Sequence, residues 1–179
     1  MSRLSLTAKS IREALTTVVT QGAAGAEPWP VSCAGTTIAL TPTVTAGVYV
    51  AGDAVGGLLT FANAARATDG GGVIKDIIIV DDAGQDAQLE LWLFDQTFVA
   101  MVDNAPWAPA EADLENLIAI LSVAASDYKA AGTPSAAAVE VSQRYDCVGT
   151  SLFGQLVTRG TPTYVATDDV TCKIGILQD

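Results

Sequence analysis

The stretch YVAGDAVGGLLTF, residues 49–61, decides how the chain is read. Its three glycines around an aspartate suit either a loop that cradles phosphate or a turn between two β-strands. A phosphate loop brings backbone N–H groups together at a helix start, and in its commonest form adds a lysine followed by Ser or Thr. Here the glycines run into LLTFANAAR, which has no lysine, and G-D-A-V-G-G does not match G-x-G-x-x-G. The residues before Gly52 alternate like a strand, and Leu58, Leu59 and Phe61 are strand formers as well. The stretch therefore reads as a turn between strands.

The same period of two extends outward on both sides. In TTIALTPTVT, residues 36–45, Ile38, Leu40 and Val44 alternate with threonine and alanine, as in a strand with one wet face. Pro42 cannot donate to a ladder, which makes this strand an edge or a bulge. VIKDIIIV, residues 73–80, ends in four apolar residues and predicts a central strand buried on both faces. QLELWLFD, residues 88–95, puts Leu89, Leu91 and Leu93 on one face and Glu90, Trp92 and Phe94 on the other. DVTCKIGIL, residues 169–177, points Val170, Cys172, Ile174 and Ile176 inward. AAAVEVSQRYDCV and TSLFGQLVTRG supply two further strands.

Turn signals fall between these runs at Gly52-Asp53, Gly70-Gly71-Gly72, Asp82-Ala83-Gly84, Gly132-Thr133-Pro134 and Gly160-Thr161-Pro162. Short strands at such spacing predict an all-β domain, a β-sandwich or jelly roll, over residues 33–179. One helical exception is APAEADLENLIAIL, residues 108–121, with Pro109, Glu111 and Asp113 suited to a first helical turn. It predicts a turn or two of helix running into a strand.

Residues 1–32 read as an arm and linker outside that domain. Ile11, Ala14, Leu15, Val18 and Val19 recur at helical spacing in TAKSIREALTTVVT, although LTTVVT is rich in β-branched residues. QGAAGAEPWP then reads as a linker. The arm also has its own charge sign. Residues 1–20 sum to +2 in a chain of net charge −11. An acidic body repels a phosphate backbone, so nucleic acid is not an expected partner. No apolar run is long enough to span a bilayer, and none follows the basic residues as in a secretory signal, so no membrane contact is expected either.

Chemistry is thinly represented. The chain has no histidine, which removes the commonest general base and metal ligand. No cofactor motif is found. Cys33, Cys147 and Cys172 form no C-x-x-C and are odd in number, which predicts free thiols. Asp81, Asp82, Asp86 and Glu90 have the oxygens to hold Ca²⁺ but lack EF-hand spacing, and read as a solvated turn. Glu90 and Asp95 are five apart, so an unbroken strand sets them on opposite faces rather than as an acid/base pair. Trp29 and Trp107 lie in proline-bounded loops, EPWP and APWAP, where each either plugs the core edge or anchors a protein contact. The arm residues Ile11, Arg12, Leu15 and Val18 are further candidates for protein contact, as apolar anchors with one cation facing acidic groups.

From about Thr36 to the C-terminus, the chain resembles a family of small structural proteins from tailed bacteriophages. The likeness rests on TVTAGVYVAGDAVGGLLTFANAAR, GGGVIKDIIIVDDAGQDAQLELWLFD, DNAPWAPAEADLENLIAIL and RGTPTYVATDDVTCKIGILQD, in that order and spacing. The resemblance implies a virion component without enzymatic activity, most like a capsid decoration, or cement, protein. Such a protein sits on the outer capsid surface as a homotrimer and bridges subunits of the major capsid protein. A tail or baseplate protein that contacts a receptor is an alternative. A sugar-binding module or enzyme is another.

Overall fold

The computed structural model describes residues 34–179. The arm, its anchor residues, Trp29 and Cys33 lie outside the described residues. The strands are β1 (Ala34–Leu40), β2 (Gly47–Val48), β3 (Ala54–Phe61), β4 (Gly71–Asp81), β5 (Leu89–Phe94), β6 (Leu117–Val123), β7 (Lys129–Ala130), β8 (Ser135–Asp146), β9 (Leu152–Thr158), β10 (Thr163–Tyr164) and β11 (Val170–Gln178). A single helical turn, α1 (Glu111–Leu114), leads into β6. This is the short helix before a strand that Pro109 and the acidic residues predict.

Two sheets carry the fold, in the orders β1-β11-β4-β8-β7 and β3-β9-β5-β6, with a small β10-β2 ribbon beside them. All the pairings are antiparallel. Setting aside the two-residue strands, eight long strands remain. Counted along the chain they lie in the orders 1-8-3-6 and 2-7-4-5. That is the strand order of a jelly roll, in which two Greek keys close a double sheet. The all-β sandwich is therefore of the jelly-roll kind.

Alternation places the core between the sheets. Ile77 and Ile79 of β4, Leu89, Leu91 and Leu93 of β5, Leu152 and Leu156 of β9, and Cys172 and Ile174 of β11 are all buried. Each fully buried Leu or Ile contributes about 1.5–3 kcal/mol relative to exposure. β4 occupies the middle of its sheet, as its apolar run predicts. Its outward residues Ile78 and Val80 are only half-buried, however, so the strand is not covered on both faces. The outer face of an antiparallel sheet can meet water, and the β-branched side chains there satisfy strand propensity without full burial.

Two glycine readings change in detail. In the opening stretch, Gly52 does sit in the turn between β2 and β3, with φ +100°. Gly56 and Gly57 instead lie inside β3, where the pairing with β9 skips between Val55 and Leu59. Gly56 has φ +71°, and an added Cβ would lie 2.3 Å from Pro42 Cβ, so the bulge needs glycine for both conformation and space. Of the triple glycine, Gly71 and Gly72 begin β4 rather than forming a turn. A Cβ on Gly72 would fall 2.2 Å from the Leu177 carbonyl oxygen of the adjacent strand, which explains a glycine in a ladder position.

The outer face of the β3-β9-β5-β6 sheet is partly roofed by residues 95–110. Gln155, on that face of β9, is fully buried. Its Nε2 donates to the carbonyls of Gly56 and Met101, both at 2.7 Å, and Met101 N donates back to its Oε1 at 2.9 Å. This clamp ties the roof to the β3 bulge.

Candidate protein-contact surface

The β2–β10 ribbon has two unlike faces. Tyr49 and Tyr164 point inward, are almost fully buried, and pack edge to face at 5.3 Å between ring centroids. Because successive side chains alternate, their neighbours point outward. Val48, Val50 and Val165 are 63%, 63% and 75% exposed. Val102, on the adjoining turn, is 78% exposed. Asn104 Nδ2 donates to the Val48 carbonyl at 3.2 Å and so joins that turn to the ribbon.

Each of these segments is pinned by one aspartate. Asp53 Oδ2 accepts the Val50 N–H at 2.7 Å. Asp169 Oδ2 accepts the N–H groups of Val165 at 2.7 Å and Ala166 at 2.8 Å. Asp103 accepts the Tyr49 hydroxyl at 2.7 Å, Thr45 N at 2.6 Å and Gly56 N at 2.5 Å. Asp53 and Asp169 are themselves buried. Carboxylates accepting backbone N–H groups make strong, charge-assisted bonds. The same geometry turns the Asp53 and Asp169 carboxylates inward, while the half-buried Asp103 and the exposed Asp168 border the valines. Residues 34–52 and 160–167 carry no charged side chain in a chain of net charge −11. The result is a hydrogen-bonded valine face on an acidic protein, with Asp103 and Asp168 at its rim. Burial, with the adjacent Asp103 carboxylate, also holds the Tyr49 phenol protonated well above its ordinary range.

Trp107, singled out from the sequence, is not part of this face. Trp107 is half-buried and packs within the chain, 5.5 Å from Trp92 and 6.0 Å from Phe98 between ring centroids. Its indole N–H is buried without a partner among the described residues. It thus helps roof the outer face of the β3-β9-β5-β6 sheet. Ile11, Arg12, Leu15, Val18 and Trp29 are not among the described residues. The valine face itself escaped notice in the sequence, because two-residue strands have no periodicity to read. The spacings Val50 to Asp53 and Val165 to Asp169 were the available signal, since Asp side chains commonly bond to nearby backbone.

The acidic stretch after β4 is not a solvated turn throughout. Asp81 is 2% exposed and organises the loop, accepting N–H groups from Ala83 at 3.1 Å, Gln85 at 2.9 Å and Asp86 at 3.0 Å. Burial outweighs those bonds and raises its carboxyl pKa. Among the described residues, no three His, Cys, Asp or Glu side chains are grouped to hold a metal. Glu90 accepts Arg159 Nη2 at 2.7 Å and Trp92 Nε1 at 3.1 Å on the outer face of its sheet. The Arg159 bond, aided by Trp92, lowers its pKa against an opposing effect of burial.

Open clefts lie on the surface of the described residues. One of about 400 Å³ runs between residues 40–43 and 57–60 and is lined by apolar and threonine side chains. Another, of about 350 Å³, lies among Gln85, Asp86, Gln88, Arg159 and Thr161. Neither lining sets a nucleophile beside a base. No family model matches the chain, and no curated protein matches it.

Proposed function

We propose that this chain is a structural protein of a tailed-phage virion, without enzymatic activity, that decorates the capsid and bridges neighbouring subunits of the major capsid protein. The observation that carries this reading is the pinned valine face. Exposed apolar side chains held on preorganised turns lose little entropy on binding, and the valine side chains themselves can be desolvated cheaply. Contact cores of this composition, depleted of charge, are typical of protein–protein interfaces. The jelly roll supports the reading only at the level of architecture, since it serves capsid proteins and many others. The resemblance of residues 36–179 to phage structural proteins supplies the class.

In this account the protein assembles as a homotrimer on the outer capsid surface. The positively charged segment at residues 1–20 adds a second attachment to acidic groups of a neighbour. Copy number separates this function from a role in the tail. Purified particles are run on a gel, and the band is quantified against the major capsid protein. A decoration protein is present at a near-stoichiometric fraction of the capsid subunits. A few copies per particle would instead assign the chain to the tail or baseplate.

A further inference from the structure

One end of the core is polar, and several of its polar atoms have no partner among the described residues. Asp86 Oδ1, Tyr128 OH, Ser135 Oγ and Tyr164 OH are buried without a hydrogen-bond partner. Tyr128, Ser135 and Tyr164 are 7%, 2% and 2% exposed.

All four belong to the neighbourhood of Asp81. Ser135 is its register partner on β8, so both side chains face the core at the same level. Asp86 donates its N–H to Asp81. Both tyrosines sense the Asp81 carboxylate, and Tyr128 senses that of Asp86 as well. Burial first, and those charges second, keep both phenols protonated and available as donors. The loops are drawn tightly together here: a Cβ on Gly84 would lie 2.0 Å from the Thr133 carbonyl oxygen.

Buried polar groups left unpaired cost about 1–3 kcal/mol each, and native proteins satisfy nearly all of them with protein or ordered water. A metal ion fits poorly. Both Asp81 oxygens are already committed to backbone N–H groups, and the free groups are one carboxylate oxygen and three neutral hydroxyls. Water fits well, because it accepts from phenols and donates to a carboxylate, and it needs two to four polar partners. We propose that Asp86, Tyr128, Ser135 and Tyr164 form an internal hydration site, whose ordered water joins the 81–86 loop to the end of the core.

The full-length protein tests this by water relaxation dispersion, which detects internal waters of long residence, together with a crystal structure at about 1.5 Å. The expected result is ordered water bonded to at least two of the four atoms, and a dispersion amplitude that falls in Tyr128→Phe and Tyr164→Phe. Each variant should also melt about 2–4 °C lower. If a variant does not fold, the wild-type crystal structure decides. Contacts among the four atoms with no water between them would overturn the proposal. So would a melting temperature raised by Ca²⁺ with a metal ion found there, or phenylalanine variants that melt at the wild-type temperature with unchanged dispersion.

Discussion

The Tyr49 hydroxyl lies 2.7 Å from one oxygen of Asp103 and 2.8 Å from the other, across 54 positions of sequence. This bond joins the inner face of the β2–β10 ribbon to the 102–105 turn. The same carboxylate holds Thr45 N and Gly56 N, so one side chain fixes three segments. Asp103→Ala strands the Tyr49 hydroxyl and Gly56 N, while Thr45 N keeps its 2.8 Å bond to the Tyr49 hydroxyl oxygen, and should cost about 2–4 kcal/mol in urea unfolding. Tyr49→Phe leaves Asp103 its two backbone donors and should cost about 1 kcal/mol. Equal losses in the two variants would show that Asp103 is not the hub.

Gly56 and Gly52 both have positive φ, but only Gly56 lacks room for a side chain. Gly52→Ala bears the conformational cost alone, about 1–2 kcal/mol. Gly56→Ala adds the collision with Pro42 and should lose about 2 kcal/mol more. Chemical denaturation of the two variants side by side tests the order. A Gly56→Ala protein as stable as Gly52→Ala would mean that the β3 bulge relaxes freely.

The Glu90–Arg159 pair predicts a contribution that fades in acid. The pKa of Glu90 is lowered from 4.5 in the folded state, chiefly by the Arg159 hydrogen bond. A lowered carboxylate adds stability that is fully present above its unfolded value and is lost as pH falls through the folded one. Arg159 is 36% exposed, so solvent screening limits the pair to about 1 kcal/mol at pH 7. The stability gap between wild type and Glu90→Gln should therefore narrow as pH is taken below 4.5. A gap that stays constant from pH 7 to pH 3 would contradict the assignment.

Cys147 and Cys172 are buried, unpaired thiols, and burial pushes their pKa values up to about 11 and about 12. Both are protonated at pH 8 and shielded from reagents. Thiol titration of native protein should find neither reactive, and denaturation without reductant should expose about three groups, the number in the sequence. Finding only one after denaturation would mean that a disulfide forms.

The long strands were legible because alternation over six or more residues is a strong signal, as in Leu89, Leu91 and Leu93 or Val170, Cys172 and Ile174. Pro42 correctly marked an edge, since β1 ends at Leu40 beside it at the margin of its sheet. The strand order was not legible, because pairing β11 between β1 and β4 depends on contacts about 90 or more positions apart. The valine face was hidden for a related reason. Asp103 looks like any surface acid until the fold brings Tyr49, Thr45 and Gly56 to it. The sequence left Trp107 between plugging the core edge and anchoring a contact, because its partners Trp92 and Phe98 lie on a strand and a loop whose packing no local pattern records.

In the proposed function, the valine face attaches the protein to the virion. The direct measurement is occupancy of Val50→Glu/Val165→Glu on purified particles, set against its melting temperature. Both side chains are largely exposed, so the double variant should fold and melt within about 2 °C of wild type. Two carboxylates placed in a desolvated contact should cost binding several kcal/mol and lower occupancy at least tenfold. A variant that folds normally and still decorates particles at full occupancy would contradict the account.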